Sequence, residues 1–368
     1  MKHKISCVTA VVIGLMLVAA GSDRAVSAAN AGTWDPRAAA QYLDKRESWW
    51  QPWYRSRIDH NTVCVSCHTV LPYAFARSAL RAATGETTPT SAERNMLGWV
   101  EKRVNDWSEV LPYYSEQRGV GKAAQSRSTE SVLNALVLAS YDSRERQVRP
   151  VTRTAFNNAW ALQEASGGWN WQDFKLGPWE NANSGYLGAT LLLLAVKSLP
   201  DDFAAAPENK PHVRRLESFL KQEYSSQPLI NRIYVLWASS TSPRVLDRHQ
   251  RRALLDELRG LQQVDGGWRN AGMDPTERKD HSEAPQQSDG YVTALVVLAL
   301  RASGALAKDP MLSRGKEWLL THQQADGSWS ASSMNLLRDP ESDAGPFMTD
   351  AATGYAALAL LFRGPREK

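Results

Sequence analysis

Several absences bound this chain before any motif is read. It has three cysteines in 368 residues, and no second C-x-x-C or H-x-x-x-H pair accompanies the one thiol pair at Cys64 and Cys67, so a four-ligand zinc site lacks half its donors. Basic and acidic residues nearly balance, at 43 and 39, with a net charge of +4 and no basic stripe, which argues against a nucleic-acid partner. Gly119-Val120-Gly121-Lys122 lacks the G-x-x-x-x-G-K-[ST] frame of a phosphate loop, and Gln125 to Thr129 after it reads as a polar loop. The longest apolar run, Ile5 to Ala20, falls short of the roughly 20 residues that span a bilayer.

That run has the layout of an export signal. Lys2, His3 and Lys4 precede it, and Val26-Ser27-Ala28 offers a small-residue cleavage site before Ala29. No lipobox cysteine lies near that site. The expectation is a leader over residues 1–28, a single mature domain over 29–368 and a periplasmic location. Cleavage removes Cys7 and leaves a net charge of +2, with both remaining cysteines in Cys64-Val65-Ser66-Cys67-His68.

Those five residues spell C-x-x-C-H, the attachment pattern of c-type haem. On that reading Cys64 and Cys67 form thioethers to one covalent haem c, and His68 is the proximal iron ligand. A sixth ligand would come from Met273, His281, Met334 or Met348. The alternatives are a redox-active Cys64–Cys67 disulfide or half of a metal site. Trp49, Trp50, Trp53 and Tyr54 read as the core-facing stripe of a first helix, and Arg77 or Arg81 could pair with a propionate.

The rest of the chain repeats. Gln163-Glu164-Ala165-Ser166-Gly167-Gly168-Trp169, Gln262 to Trp268 and Gln323 to Trp329 share the pattern Q-x-x-(D/S)-G-(G/S)-W. Each follows an amphipathic stretch and precedes an apolar one that opens with Gly185-Tyr186, Gly290-Tyr291 or Gly354-Tyr355. A helix apolar all round must be buried, so half-exposed and fully buried helices alternate in two layers. Six helical hairpins are expected: Pro36–Ser56 with Pro72–Thr84, Ser91–Trp107 with Thr129–Ser140, Thr152–Gln163 with Ser184–Ser198, His212–Glu223 with Leu229–Ser239, Asp247–Gln262 with Asp289–Ser303, and Met311–Gln323 with Asp350–Phe362.

The Q-x-x-D-G-G-W segments resemble the QW repeats of squalene-hopene cyclases, in a superfamily that includes the β subunits of protein prenyltransferases. The resemblance covers about residues 90–364, with the haem-type hairpin before it at about 36–85. It implies an all-α, α6/α6 toroid with a central cavity in which an apolar small molecule could sit. It does not bring the cyclase or prenyltransferase chemistry. No D-x-D-D occurs, and no cysteine or histidine set stands where the prenyltransferase zinc would need it. Three functional readings follow: a mono-haem electron-transfer protein working with a redox partner protein, a haem-dependent oxidoreductase acting on an isoprenoid-like substrate, and a haem-based sensor or binding module.

Overall fold

The outer and inner helices differ first in what they bury. In a computed structural model that describes residues 34–200 and 202–362, α7 (Lys210–Glu223) buries only Val213, Leu216 and Leu220, one stripe at helical spacing. In α10 (Gly290–Ala302) every residue is buried. The remaining outer helices are α1 (Pro36–Trp50), α3 (Ser91–Asn105), α5 (Pro150–Ala161), α9 (Arg248–Leu261) and α11 (Pro310–Thr321). The remaining inner helices are α2 (Val70–Thr84), α4 (Lys122–Glu145), α6 (Ser184–Ser198), α8 (Leu229–Ala238) and α12 (Phe347–Leu361). The inner helices contact one another in the order α2, α4, α6, α8, α10, α12 and back to α2. This closed ring inside six partners is the expected α6/α6 toroid. Among the described residues the only strands are β1 (Arg57–Ile58) and β2 (Thr62–Val63), a short antiparallel pair between α1 and α2.

Local chemistry sets the helix ends. Asp35 caps α1 through the Arg37 amide, with Pro36 at the first helical position. Thr90 with Glu93 and Asp247 with Gln250 form capping boxes on α3 and α9. Helix α1 stops at Trp50, earlier than the expected Ser56, because Pro52 has no amide to continue it. Helix α4 starts at Lys122, so Gln125 to Thr129, read from sequence as a polar loop, is helical. Gly354-Tyr355 lies inside α12 rather than at its start.

The three QW turns act as one repeated joint. Each tryptophan donates its indole N–H to a carbonyl ten residues earlier: Trp169 to Ala159 at 2.9 Å, Trp268 to Leu258 at 2.8 Å, Trp329 to Leu319 at 2.8 Å. Each glutamine closes its own turn and reaches the start of the next outer helix. Gln163 Nε2 donates to Gly167 O and His212 O, and Gln262 Nε2 to Gly266 O and Met311 O. Gln323 Nε2 donates to Gly327 O and Asp35 O, both at 2.9 Å, which ties the last hairpin to the first.

The N-terminal segment read as a leader, including Cys7, lies outside the described residues. No described helix is long and apolar enough to cross a membrane.

Candidate functional site

The N-terminal ends of the inner helices and the long loops enclose a cavity of about 320 Å³. Its walls come from the end of α1, the Cys64–His68 loop, the starts of α4 and α12, and the loops after α3, α5 and α11. Trp50, Trp53, Tyr113, Tyr114, Trp179 and Phe347 supply aromatic surface.

The Cys64–His68 segment is built as the entry to α2. Ser66 Oγ accepts from the amides of Thr69 at 3.2 Å and Val70 at 3.1 Å, which fixes the turn leading into the helix. The His68 ring stacks on Phe347, with centroids 3.7 Å apart, and meets the Trp50 ring edge-on at 5.2 Å. Thr69 Oγ1 donates to Asp350 Oδ2 at 2.7 Å. A hydroxyl has one proton, so the 2.9 Å contact between His68 Nδ1 and Thr69 Oγ1 is made by an Nδ1–H donor. Nε2 then carries a lone pair, and it has no partner among the described residues. Burial, with positive Arg338 and Arg46 nearby, lowers the His68 pKa to about 3, so the imidazole is neutral. Burial pushes both thiols up, so Cys64 and Cys67 stay protonated.

Two carboxylates line the same cavity in opposite circumstances. Glu130 is fully engaged: it accepts from Arg103 Nε at 2.9 Å, from Ser126 Oγ at 2.9 Å and from the Tyr113 amide at 2.5 Å. The Glu180 carboxyl has no hydrogen bond or ion pair among the described residues, though its backbone is fixed by exchange with Leu176. Burial raises its carboxyl to about 7, against the pull of Arg338, Lys279 and Lys122. Gln172, also in the wall, is 3% exposed, and neither its Oε1 nor its Nε2 has a partner.

The sequence candidates scatter. Met348 lines the cavity with His68. Met273 and Met334 are buried but outside its lining, and His281 lies at the surface against Glu277 at 2.8 Å. Trp50 and Trp53 do face the cavity, whereas Tyr54 is exposed. Arg77 is committed to Asp44 and Glu86, and Arg81 lies near Glu93. Sequence reasoning missed Glu180, Gln172 and Glu130, which belong to no motif. Their only sequence signal is position: the loop between a QW turn and its apolar helix for the first two, the start of an inner helix for the third.

A family model described as the squalene-hopene cyclase C-terminal domain matches residues 206–340 and 289–366, less than half of the chain. The chain is also similar in structure to an inactive variant of the α-1,6-mannanase GH76A of Salegentibacter sp. in complex with α-1,6-mannotriose, with a TM-score of 0.52, 11% identity and coverage of 89% of this chain and 100% of that one. A polysaccharide lyase gives a TM-score of 0.50 at 14% identity, covering 89% of this chain and 96% of that one. No curated protein matches in sequence. At these identities the structural likeness establishes the toroid and not an activity.

These findings correct the haem reading. Among the described residues no group of three or more histidine, cysteine, aspartate or glutamate side chains is arranged to hold a metal ion. The structural neighbours are carbohydrate-processing toroids. The segment that spelled C-x-x-C-H has a structural use of its own: Ser66 Oγ holds the amides at the entry to α2, and His68 is packed on Phe347 and bonded to Thr69. A five-residue pattern carries too little context to outweigh this. Covalent haem c, iron binding, cytochrome-like electron transfer and the haem-dependent oxidoreductase and sensor readings are therefore set aside.

Proposed function

We propose that the cavity binds a saccharide and that Glu180 is its proton donor, making the protein a carbohydrate-acting enzyme. One observation carries the reading: the wall holds polar groups with unspent hydrogen-bonding capacity, at Glu180, Gln172 and His68 Nε2, beside aromatic surface. Leaving buried polar atoms unpaired, as at Gln172, costs about 1–3 kcal/mol each, which a hydroxyl-rich ring would relieve. The aromatic faces offer apolar area to the C–H faces of such a ring. A carboxyl near pKa 7 is protonated often enough at neutral pH to serve as a general acid toward a glycosidic oxygen. Glu130, held by Arg103, is the fixed negative charge for the positive character that develops at the sugar carbon. The oligosaccharide bound to the mannanase toroid is consistent with this substrate class. The leader read in the sequence suits an enzyme acting on extracellular or periplasmic glycans.

The test is reducing-end release from a panel of polysaccharides, α-1,6-mannan included, paired with calorimetric binding of the oligosaccharides. Wild type should act on at least one member. Glu180→Gln should lose roughly 10²–10⁴-fold in kcat while still binding. No binding and no cleavage across the panel would refute the reading.

A further inference from the structure

A second cavity lies at the opposite end of the toroid. Its volume is about 240 Å³, and it opens among the C-terminal ends of α4, α6, α8 and α12, with Phe75 of α2 completing the wall. Its floor is apolar: Leu136, Leu191, Trp237 and Leu358. Its rim is polar and exposed, with Arg144, Ser198, Ser240 and Thr241. The two cavities are separated by the buried tyrosines Tyr234, Tyr291 and Tyr355. Tyr234 and Tyr291 share a hydrogen bond of 2.9 Å between hydroxyls, and Tyr291 packs on Trp179 of the first cavity while Tyr355 packs on Trp237 of the second.

Arg144 sets the chemistry of this second site. It sits in the last turn of α4, and its guanidinium makes no hydrogen bond or ion pair among the described residues. Burial, and then the positive Arg81, disfavour its charge, against an opposing effect of the Tyr141 phenol that is smaller than that of burial. Its N–H donors thus stand at the lip of an apolar cup, and among the described residues no side chain accepts from them. The rim hydroxyls of Ser198 and Thr241 donate to helix carbonyls and can rotate toward a ligand.

We infer that this cup is a binding site for an anionic amphiphile: a monocarboxylate with an unbranched apolar tail, the tail among Leu136, Leu191 and Leu358 and the carboxylate on Arg144. A guanidinium and a carboxylate form a charge-assisted, bidentate pair, and the apolar floor gains from removal of its surface from water. This site is independent of the saccharide cavity and does not rest on that reading.

The experiment is titration of the full chain with dodecanoate and with dodecanol, followed by calorimetry and by Trp237 fluorescence, with Trp237→Phe assigning the signal. Wild type is compared with two variants, Arg144→Gln and Ala195→Phe, the latter filling the cup. Dodecanoate should bind wild type, bind Arg144→Gln at least tenfold more weakly, and not bind Ala195→Phe. Dodecanol should bind wild type and Arg144→Gln alike. Absence of dodecanoate binding to wild type overturns the inference, and so does binding that Ala195→Phe leaves intact. Equal dodecanoate affinity in Arg144→Gln overturns the role of the arginine and with it the anionic ligand. Ala195→Phe is accepted as a test only if its melting transition shows it folded; otherwise Leu194→Trp takes its place with the same expected loss.

Discussion

Gly327→Ala tests the joint that closes the toroid. Gly327 sits at φ +91°, in the left-handed region, and a Cβ built there falls 2.2 Å from Ala38 C and 2.3 Å from Ala38 O. Both atoms are backbone of α1, so neither can swing aside. A left-handed non-glycine residue costs about 1–2 kcal/mol. Forcing extra volume into a packed contact costs about 1–3 kcal/mol more. The sum, about 2–5 kcal/mol, corresponds to a fall in Tm of roughly 3–7 °C for a chain of this size. Gly98→Ala is the matched control. Gly98 is exposed in α3, and a Cβ there meets nothing within 4 Å. It should gain about 0.5–1 kcal/mol from helix propensity. Calorimetric melts of both variants beside wild type decide the matter. If Gly327→Ala melts within about a degree of wild type, or moves in the same direction as Gly98→Ala, then the close approach of the last turn to α1 is not what holds the ring shut.

Gln323→Ala removes the donor to Gly327 O and Asp35 O and leaves those groups partly solvated, so a loss of about 1–3 kcal/mol is expected in urea unfolding. Arg103→Ala leaves Glu130 buried without its ion-pair partner and should cost about 3–5 kcal/mol by the same measurement, more than any exposed arginine such as Arg259. Glu180 has a folded pKa of about 7, above the 4.5 of an ordinary glutamate, so the folded state holds the extra proton between those values. Its contribution is fully present below about pH 4.5 and is lost as pH rises to about 7. Buried Asp289, raised to about 6, has the same sign. The difference in Tm between wild type and Glu180→Gln should therefore shift in favour of the variant as pH rises from 4.5 to 7; a difference that stays constant over that range would contradict the assignment.

The six hairpins were legible because their signals are periodic and physical: one buried stripe on α7, burial all round on α10, and a glycine–tryptophan turn at fixed offset. Departures came where a local signal was overridden. Pro52 cut α1 short, and the polar residues Gln125 to Thr129 became helix because Ser126 and Glu130 found partners in Tyr113, Tyr114 and Arg103. The tryptophan cluster was read as core packing, and Trp50 and Trp53 do pack together while also walling the cavity. The site itself was poorly legible. Cys64 to His68 looked diagnostic because the pattern is short and chemically suggestive, but its residues also serve a helix entry. Glu180 and Gln172 had no pattern at all. What distinguishes them is unspent hydrogen-bonding capacity, a property of three-dimensional surroundings that no spacing in the sequence records.

The two cavities differ for a reason rooted in helix polarity. Outer and inner helices alternate, so all six inner helices present amide ends to the loops and carbonyl ends to the short connections. Carboxylates gather at the amide ends: Asp289 caps α10, Asp350 lies in the first turn of α12, and Glu130 lies in the N-terminal half of α4. At the carbonyl ends the serines and threonines bond back to their own helices, as Ser140, Ser143, Ser198 and Thr241 do, which leaves that mouth with little fixed polarity apart from Arg144. A polar ligand therefore suits the loop end and an amphiphile the other. The tyrosine layer between them fills the axis, so no single molecule can pass from one to the other without displacing Tyr234, Tyr291 or Tyr355, all essentially without solvent exposure. Occupancy of one end should thus leave affinity at the other unchanged. A measurable coupling between them would mean that this tyrosine layer has a second arrangement, and the variant to examine would be Tyr291→Phe, which breaks the 2.9 Å hydroxyl pair at its centre.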